Sequence, residues 1–169
     1  MTDIARTDDI FYTRTGMDPE RVGSQVDSAL DGADDGELFL EYNQTESITF
    51  DDGRVRNANF DTSQGLGLRA VSGEATGYAH STEISEASIA RAGETVRAVR
   101  TGHTGTVADA PAGTNRDLYS DVNPLGEMAF EDKVALLSEI DAYARASDPR
   151  VRQVTASLSG NWQAVQIVR

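Results

Sequence analysis

The sequence predicts an α+β fold: an antiparallel sheet, made of a meander and a C-terminal hairpin, packed against two or three helices. Three observations carry this. Residues 37–80 alternate with period two and are punctuated by tight-turn compositions, which is the pattern of antiparallel strands. Three separate stretches place apolar residues at helical spacing. Two further apolar-rich runs, Val151 to Leu158 and Trp162 to Val168, close the chain around Ser159-Gly160-Asn161 and read as a last hairpin.

Taken in order, residues 1–17 form an N-terminal extension and residues 18–169 one domain. Asp18 is placed to cap the free N–H groups of a helix whose first residue, Pro19, needs no N–H of its own. Val22, Val26 and Leu30 then fall on one stripe, and the stretch Gly32 to Gly36, with its two Asp, ends the helix in a loop. From Glu37 the period changes to two, with Leu38 and Leu40 alternating against Phe39 and Glu41. Ile48 and Phe50 lead into the hairpin signal Asp51-Asp52-Gly53. Further strand runs are expected over 54–60, 65–71 and 75–80, the last two joined through Ser72-Gly73-Glu74. Such a meander can leave one face for helices and the other for solvent or a partner.

Thr82 or Ser85 caps the next helix, in which Ile89, Ala92, Val96 and Val99 recur before Gly102. Residues 101–116, rich in Gly, Thr, Ala and Pro, read as a surface loop. Met128 to Ala146 is a third helix, with Phe130, Val134, Leu137, Ile140 and Ala144 expected on the core face and Asp148-Pro149 closing it. The final strand reaches Arg169 without a closing loop, for which a fragment of a longer protein is one explanation.

Composition excludes several function classes. At 169 residues the chain is long enough to bury a core without disulfides or a metal, and it contains no Cys. No thiolate metal site is available, and a reduced, cytoplasmic location is expected. Asp3, Asp8 and Asp9 stand where a secretory signal needs basic and apolar residues. Nothing approaches the roughly 20 apolar residues of a membrane span. A net charge of -13 argues against direct nucleic-acid binding, which draws affinity from clustered Lys and Arg. The excess of Asp and Glu is accounted for by a hydrated acidic surface. A single Lys, Lys133, stands against 14 Arg, a bias with no mechanistic reading.

The chemistry-bearing residues are sparse. His80 and His103 stand alone, with no helical spacing between them for a metal, and both read as solvent-facing. Gly65-Leu66-Gly67-Leu68-Arg69-Ala70 fits the loose dinucleotide fingerprint, but another strand follows where a helix is required. The glycines therefore read as part of a twisted or bulged strand, bare on one face, where another backbone or a peptide can approach closely. No serine sits in a nucleophile-elbow motif. The acidic composition supplies carboxylate pairs by chance, so it does not point to a two-carboxylate hydrolase.

Several stretches together resemble one known family: Phe50-Asp51-Asp52-Gly53-Arg54-Val55, the run from Gln64 through Arg69-Ala70-Val71-Ser72-Gly73-Glu74 to Ala79, the segment Leu118 to Leu125 followed by a helix containing Glu131-Asp132-Lys133, and Arg150 to Gly160. In order and spacing they are similar to the N-terminal half of the TldD branch of the TldD/PmbA metallopeptidases, also called modulators of DNA gyrase. The resemblance covers roughly residues 10–169 and implies a cytoplasmic, zinc-dependent peptidase of unfolded or ribosomally made peptides, working as a heterodimer with a PmbA/TldE-like subunit. It further implies that the metal ligands, an H-E-x-x-x-H pair and a later Cys, belong to a C-terminal half with no counterpart here. The expectation is no cofactor and no catalytic residue in this chain, zinc in the full-length protein, and no peptidase activity from the chain alone. Its expected role is scaffold, partner contact and substrate enclosure, with Arg54, Gln64 and Arg69 as candidate contacts to peptide or partner. A different class also fits: a free-standing, non-catalytic binding protein of the gyrase-modulator or toxin–antitoxin type.

Overall fold

The computed structural model describes residues 7–98 and 122–169. Among the described residues β1 (Asp35–Asp51), β2 (Arg54–Ser72), β3 (Ala75–Ser81) and β4 (Thr155–Val168) form one sheet in the order β3-β2-β1-β4. The helices α1 (Pro19–Leu30), α2 (Glu86–Arg97) and α3 (Phe130–Ser147) accompany it. The α+β class with an antiparallel sheet is thus the one expected. The described residues divide into two compact units, one of 7–42, 63–98 and 164–169, the other of 43–62 and 122–163. Strands β1, β2 and β4 run through both.

Local chemistry explains most boundaries. The Asp18 carboxylate accepts from the backbone N–H groups of Glu20 (2.9 Å) and Arg21 (3.1 Å), starting α1 at Pro19. Ser85, not Thr82, caps α2 by accepting from the Ser88 N–H. Asp52 and Gly53 both adopt positive φ, 50° and 83°, the geometry whose twist matches the strands of a two-residue hairpin. Between β2 and β3 only Gly73 does so (φ 59°), and Ser72 pairs with Ala75 around it. The Gly73 N–H also donates to Asp34 at 2.5 Å.

Two expectations are corrected. The runs over 54–60 and 65–71 are one continuous strand, because nothing at 61–64 supplies a turn conformation. The C-terminal hairpin is likewise one strand, β4: Gly160 has no positive φ, and a Cβ there would come within 2.5 Å of Leu125 Cδ2. That glycine provides room for a side chain rather than a turn. Thr155 and Asn161 bond to Asp51 and Asn43, so β4 runs antiparallel to β1. The expected loop over 101–116, together with Val99, Gly102 and His103, lies outside the described residues.

In the first unit α1 packs on α2, and α2 on β3. Val22, Val26, Leu30, Ile89 and Val96 of the helices and the even-numbered Leu38, Leu40, Leu66, Leu68 and Ala70 of the sheet are all buried, and Leu30 lies against Gly36 of β1. Ile10, Phe11 and Tyr12, in a π-helical turn over Asp9–Thr13, are buried too. In the second unit Leu137 of α3 packs with Ile48 and Phe50, joined by Val134, Ala156 and Leu158. The expected core face of α3 is therefore only half right. Phe130 and Ile140 are exposed, and Lys133 and Asp141 are buried in their place. Lys133 Nζ donates to both carboxylate oxygens of Glu46 (2.7 and 2.9 Å) and to the Leu125 carbonyl (2.8 Å), so the buried ammonium is fully engaged.

Candidate functional site: a cleft on the open face of the sheet

Period-two alternation gives a sheet two faces, and among the described residues of the first unit the helices occupy one of them. Leu38, Leu40, Leu66, Leu68 and Ala70 point into the helical layer, so Phe39, Glu41, Gly65, Gly67 and Arg69 belong to the opposite face. The register pairs Gly67 with His80 and Arg69 with Tyr78, bringing those two β3 side chains to the same side. A cleft of about 450 Å³ opens there, lined among others by Phe39, Glu41, Gln64, Gly67, Tyr78 and His80.

The glycines shape it in two ways. A Cβ on Gly65 would stand 2.8 Å from the Ser81 carbonyl oxygen, so this position has no space for a side chain beside the end of β3. A Cβ on Gly67 would stand 2.6 Å from the Tyr78 hydroxyl, because the tyrosine ring leans across the gap that this glycine leaves. Tyr78 is nevertheless 62% exposed and stacks on His80 at a centroid distance of 6.0 Å. The result is a floor of bare backbone with aromatic walls. It suits an apolar or extended ligand better than proton-transfer chemistry.

Farther along this face Arg69 is held by two carboxylates. Its Nε donates to Glu37 at 2.7 Å, and its Nη2 to Glu37 at 3.0 Å and to Asp35 at 2.7 Å. Arg169 adds a longer contact to Glu37, 3.3 Å. The hydrogen bonds from Arg69 hold both carboxyl groups below their usual range, and for Glu37 they outweigh the opposing effect of burial. The guanidinium is driven further into its charged form, first by Glu37 and then by Asp35.

The three candidate contacts thus separate. Gln64 borders the cleft, but along β2 it has the parity of Leu66 rather than of the glycines. Arg69 lies on the glycine face but is committed to Glu37 and Asp35, and Arg54 is exposed beside the β1–β2 turn in the other unit. Phe39, Tyr78 and His80 were not singled out from sequence as cleft residues. Their signal was parity: all share a face with the glycines once the register is known. Among the described residues no three His, Cys, Asp or Glu side chains converge to hold a metal ion.

Family models for the PmbA/TldA metallopeptidase match twice, domain 1 over residues 36–108 and the central domain over 123–169. The chain is 35% identical over 139 residues to the "Metalloprotease TldD homolog" of Haemophilus influenzae. The chain belongs to the PmbA/TldD metallopeptidase family. It corresponds to the N-terminal part of longer members. The Haemophilus alignment covers 80% of this chain but 29% of that relative, and a second TldD homolog, from Buchnera aphidicola, is 30% identical over 79% of the chain and 28% of its own length. The chain thus spans less than a third of these TldD relatives. The fold is shared with solved structures: a Bacteroides thetaiotaomicron protein described as a candidate modulator of DNA gyrase (TM-score 0.67, 15% identity, 88% of this chain and 36% of that one) and TldE from Thermococcus kodakarensis (TM-score 0.60, 15% identity, 87% and 34%).

The TldD relatives carry the name metalloprotease, which implies metal use in their full-length chains. The described residues of this family member do not assemble a fitting donor set, since no suitable cluster exists and Asp35 and Glu37 are paired with Arg69. No metal-dependent step follows from these residues.

Proposed function

We propose that this chain is the N-terminal scaffold, partner-contact and substrate-enclosing part of a cytoplasmic TldD-like zinc metallopeptidase acting on unfolded or ribosomally made peptides beside a TldE-like subunit. The single observation that carries the reading is a sheet that is one-sided among the described residues: Leu38, Leu40, Leu66, Leu68 and Ala70 are buried, and the opposite face presents the backbone-floored cleft at Gly65 and Gly67. A bare floor with aromatic walls favours contact with extended polypeptide, which offers backbone and side chains but no fixed shape. Gln64, at the cleft, and the surface residues Arg54 and Arg69 are the proposed contacts to peptide or partner. No described helix is long and apolar enough to cross a membrane, in keeping with the proposed location.

The test compares this chain with a full-length TldD-type protein carrying the same N-terminal sequence, each with and without a TldE-like subunit. Bound zinc and cleavage of an unfolded peptide are measured. The expected result is zinc-dependent cleavage only by the full-length pair, reduced severalfold by Gln64→Ala or Tyr78→Ala. Zinc-dependent cleavage by this chain alone would overturn the reading, as would tight binding to an unrelated regulatory target without any TldE-like subunit.

A further inference from the structure

Helix α3 is built the wrong way round for a helix with one covered side. Its inward positions hold Lys133, 5% exposed, and Asp141, whereas Leu136 (39% exposed), Ile140 (44%) and Tyr143 (77%) stand outside. At 100° per residue these three lie within an arc of about 60°, forming a second apolar stripe beside the one that covers Ile48 and Phe50. Helices apolar on two sides are normally covered on two sides. Tyrosine is a common interface residue, since its ring buries area while the hydroxyl stays wet.

The charges around the stripe select the occupant. Its outer margin, about 40° farther round the helix, carries Asp132 and Glu139. Asp132 also suits the first turn of the helix. Glu139 sits mid-helix, and positions 135, 136, 142 and 143, its neighbours on the helix surface, are Ala, Leu, Ala and Tyr. Neither carboxylate has a cationic partner among the described residues. A second copy is a poor occupant. An antiparallel α3–α3 crossing places the two Glu139, near the helix midpoint, against each other, and it does so between chains of charge -13.

We propose that the Leu136–Ile140–Tyr143 stripe is a docking surface for an amphipathic helix of another polypeptide, whose apolar seam is flanked by Arg or Lys that meet Asp132 and Glu139. The inference stands on α3 alone and does not depend on the function proposed above. Helix-in-groove recognition of this kind takes its affinity from the seam and its specificity from the flanking charges.

Three labelled helical peptides test it against the full chain by fluorescence anisotropy: a Leu seam flanked by Arg, the same seam flanked by Glu, and a Ser seam flanked by Arg. The first is expected to bind at least tenfold more tightly than either control. Leu136→Ser with Ile140→Ser should abolish binding while the circular dichroism spectrum stays unchanged, since both side chains are exposed. Asp132→Arg with Glu139→Arg should reverse the preference toward the Glu-flanked peptide. Equal binding of the Ser-seam peptide, or full binding by the Ser variant, would reduce the effect to bulk charge attraction and sink the proposal. A dimer of the chain in sedimentation velocity that Ile140→Ser dissolves would assign the stripe to a second copy instead, and so also overturn it.

Discussion

Tyr78 rests its hydroxyl over Gly67, 2.6 Å from where a Cβ of that residue would stand, while Gly65, two residues earlier on the same face, faces the Ser81 carbonyl oxygen at 2.8 Å. The two glycines are bare for different reasons. One leaves room for a mobile side-chain tip and the other for fixed backbone.

Substitution should separate them. Gly67→Ala can be accommodated by rotating an exposed tyrosine, and it removes the entropic weakness of a glycine in a strand, so stability should stay within about 1 kcal/mol of the parent. Gly65→Ala has no such exit, and overpacking of this kind costs about 1–3 kcal/mol. Urea denaturation of both variants checks the order, and equal losses would show that the Ser81 backbone yields.

Arg69 should confer a pH-dependent part of the stability. Asp35 and Glu37 have folded pKa values below their ordinary 3.8 and 4.5, so their contribution is present above those values and is lost as pH falls through the folded values. Arg69→Met should therefore destabilise at pH 7, by about 1 kcal/mol given that the arginine is a third exposed. The gap to the parent should close as pH falls from about 5 toward 2. Thermal denaturation across that range tests the sign, and a gap that widens in acid would contradict it.

Lys133 is the sharper electrostatic test because it is buried. Lys133→Met leaves the Glu46 carboxylate without its ammonium, and breaking a buried pair from one side costs about 3–5 kcal/mol. The double variant Lys133→Met with Glu46→Leu should regain most of that loss, since an apolar pair of similar size removes the stranded charge. A double-mutant cycle measures the coupling, and additive losses would mean that the pair contributes little.

The cap of α1 gives a local control. Asp18→Ala removes the acceptor of two N–H groups and should cost about 1 kcal/mol, with the loss recovered largely by Asp18→Ser or Asp18→Asn. Hydrogen exchange should show the change confined to the first turn of the helix.

These four cases mark how far the sequence could be read. Asp18 before Pro19, Asp52-Gly53, Gly73 and Ser85 all act through hydrogen bonds or φ values within a few residues, and each did in the structure what its chemistry predicted. Family membership was legible for the same reason, as ordered runs of such local features. Gly160 was misread because a glycine marks either a turn or a close approach, and only the arrival of Leu125 distinguishes them. Gln64 could be named from sequence only as a candidate contact, and the cleft it borders, with Phe39, Tyr78 and His80, exists only through the pairing of β2 with β3. The partners of Arg69 lie 32 and 34 positions away, beyond any local pattern. Helix α3 shows the limit most directly. Its periodicity gave a helix with Phe130, Val134, Leu137, Ile140 and Ala144 on one expected core face, but which side met the sheet depended on where Ile48, Phe50 and Glu46 stood, and burial is a property of the neighbours an element acquires rather than of its own sequence.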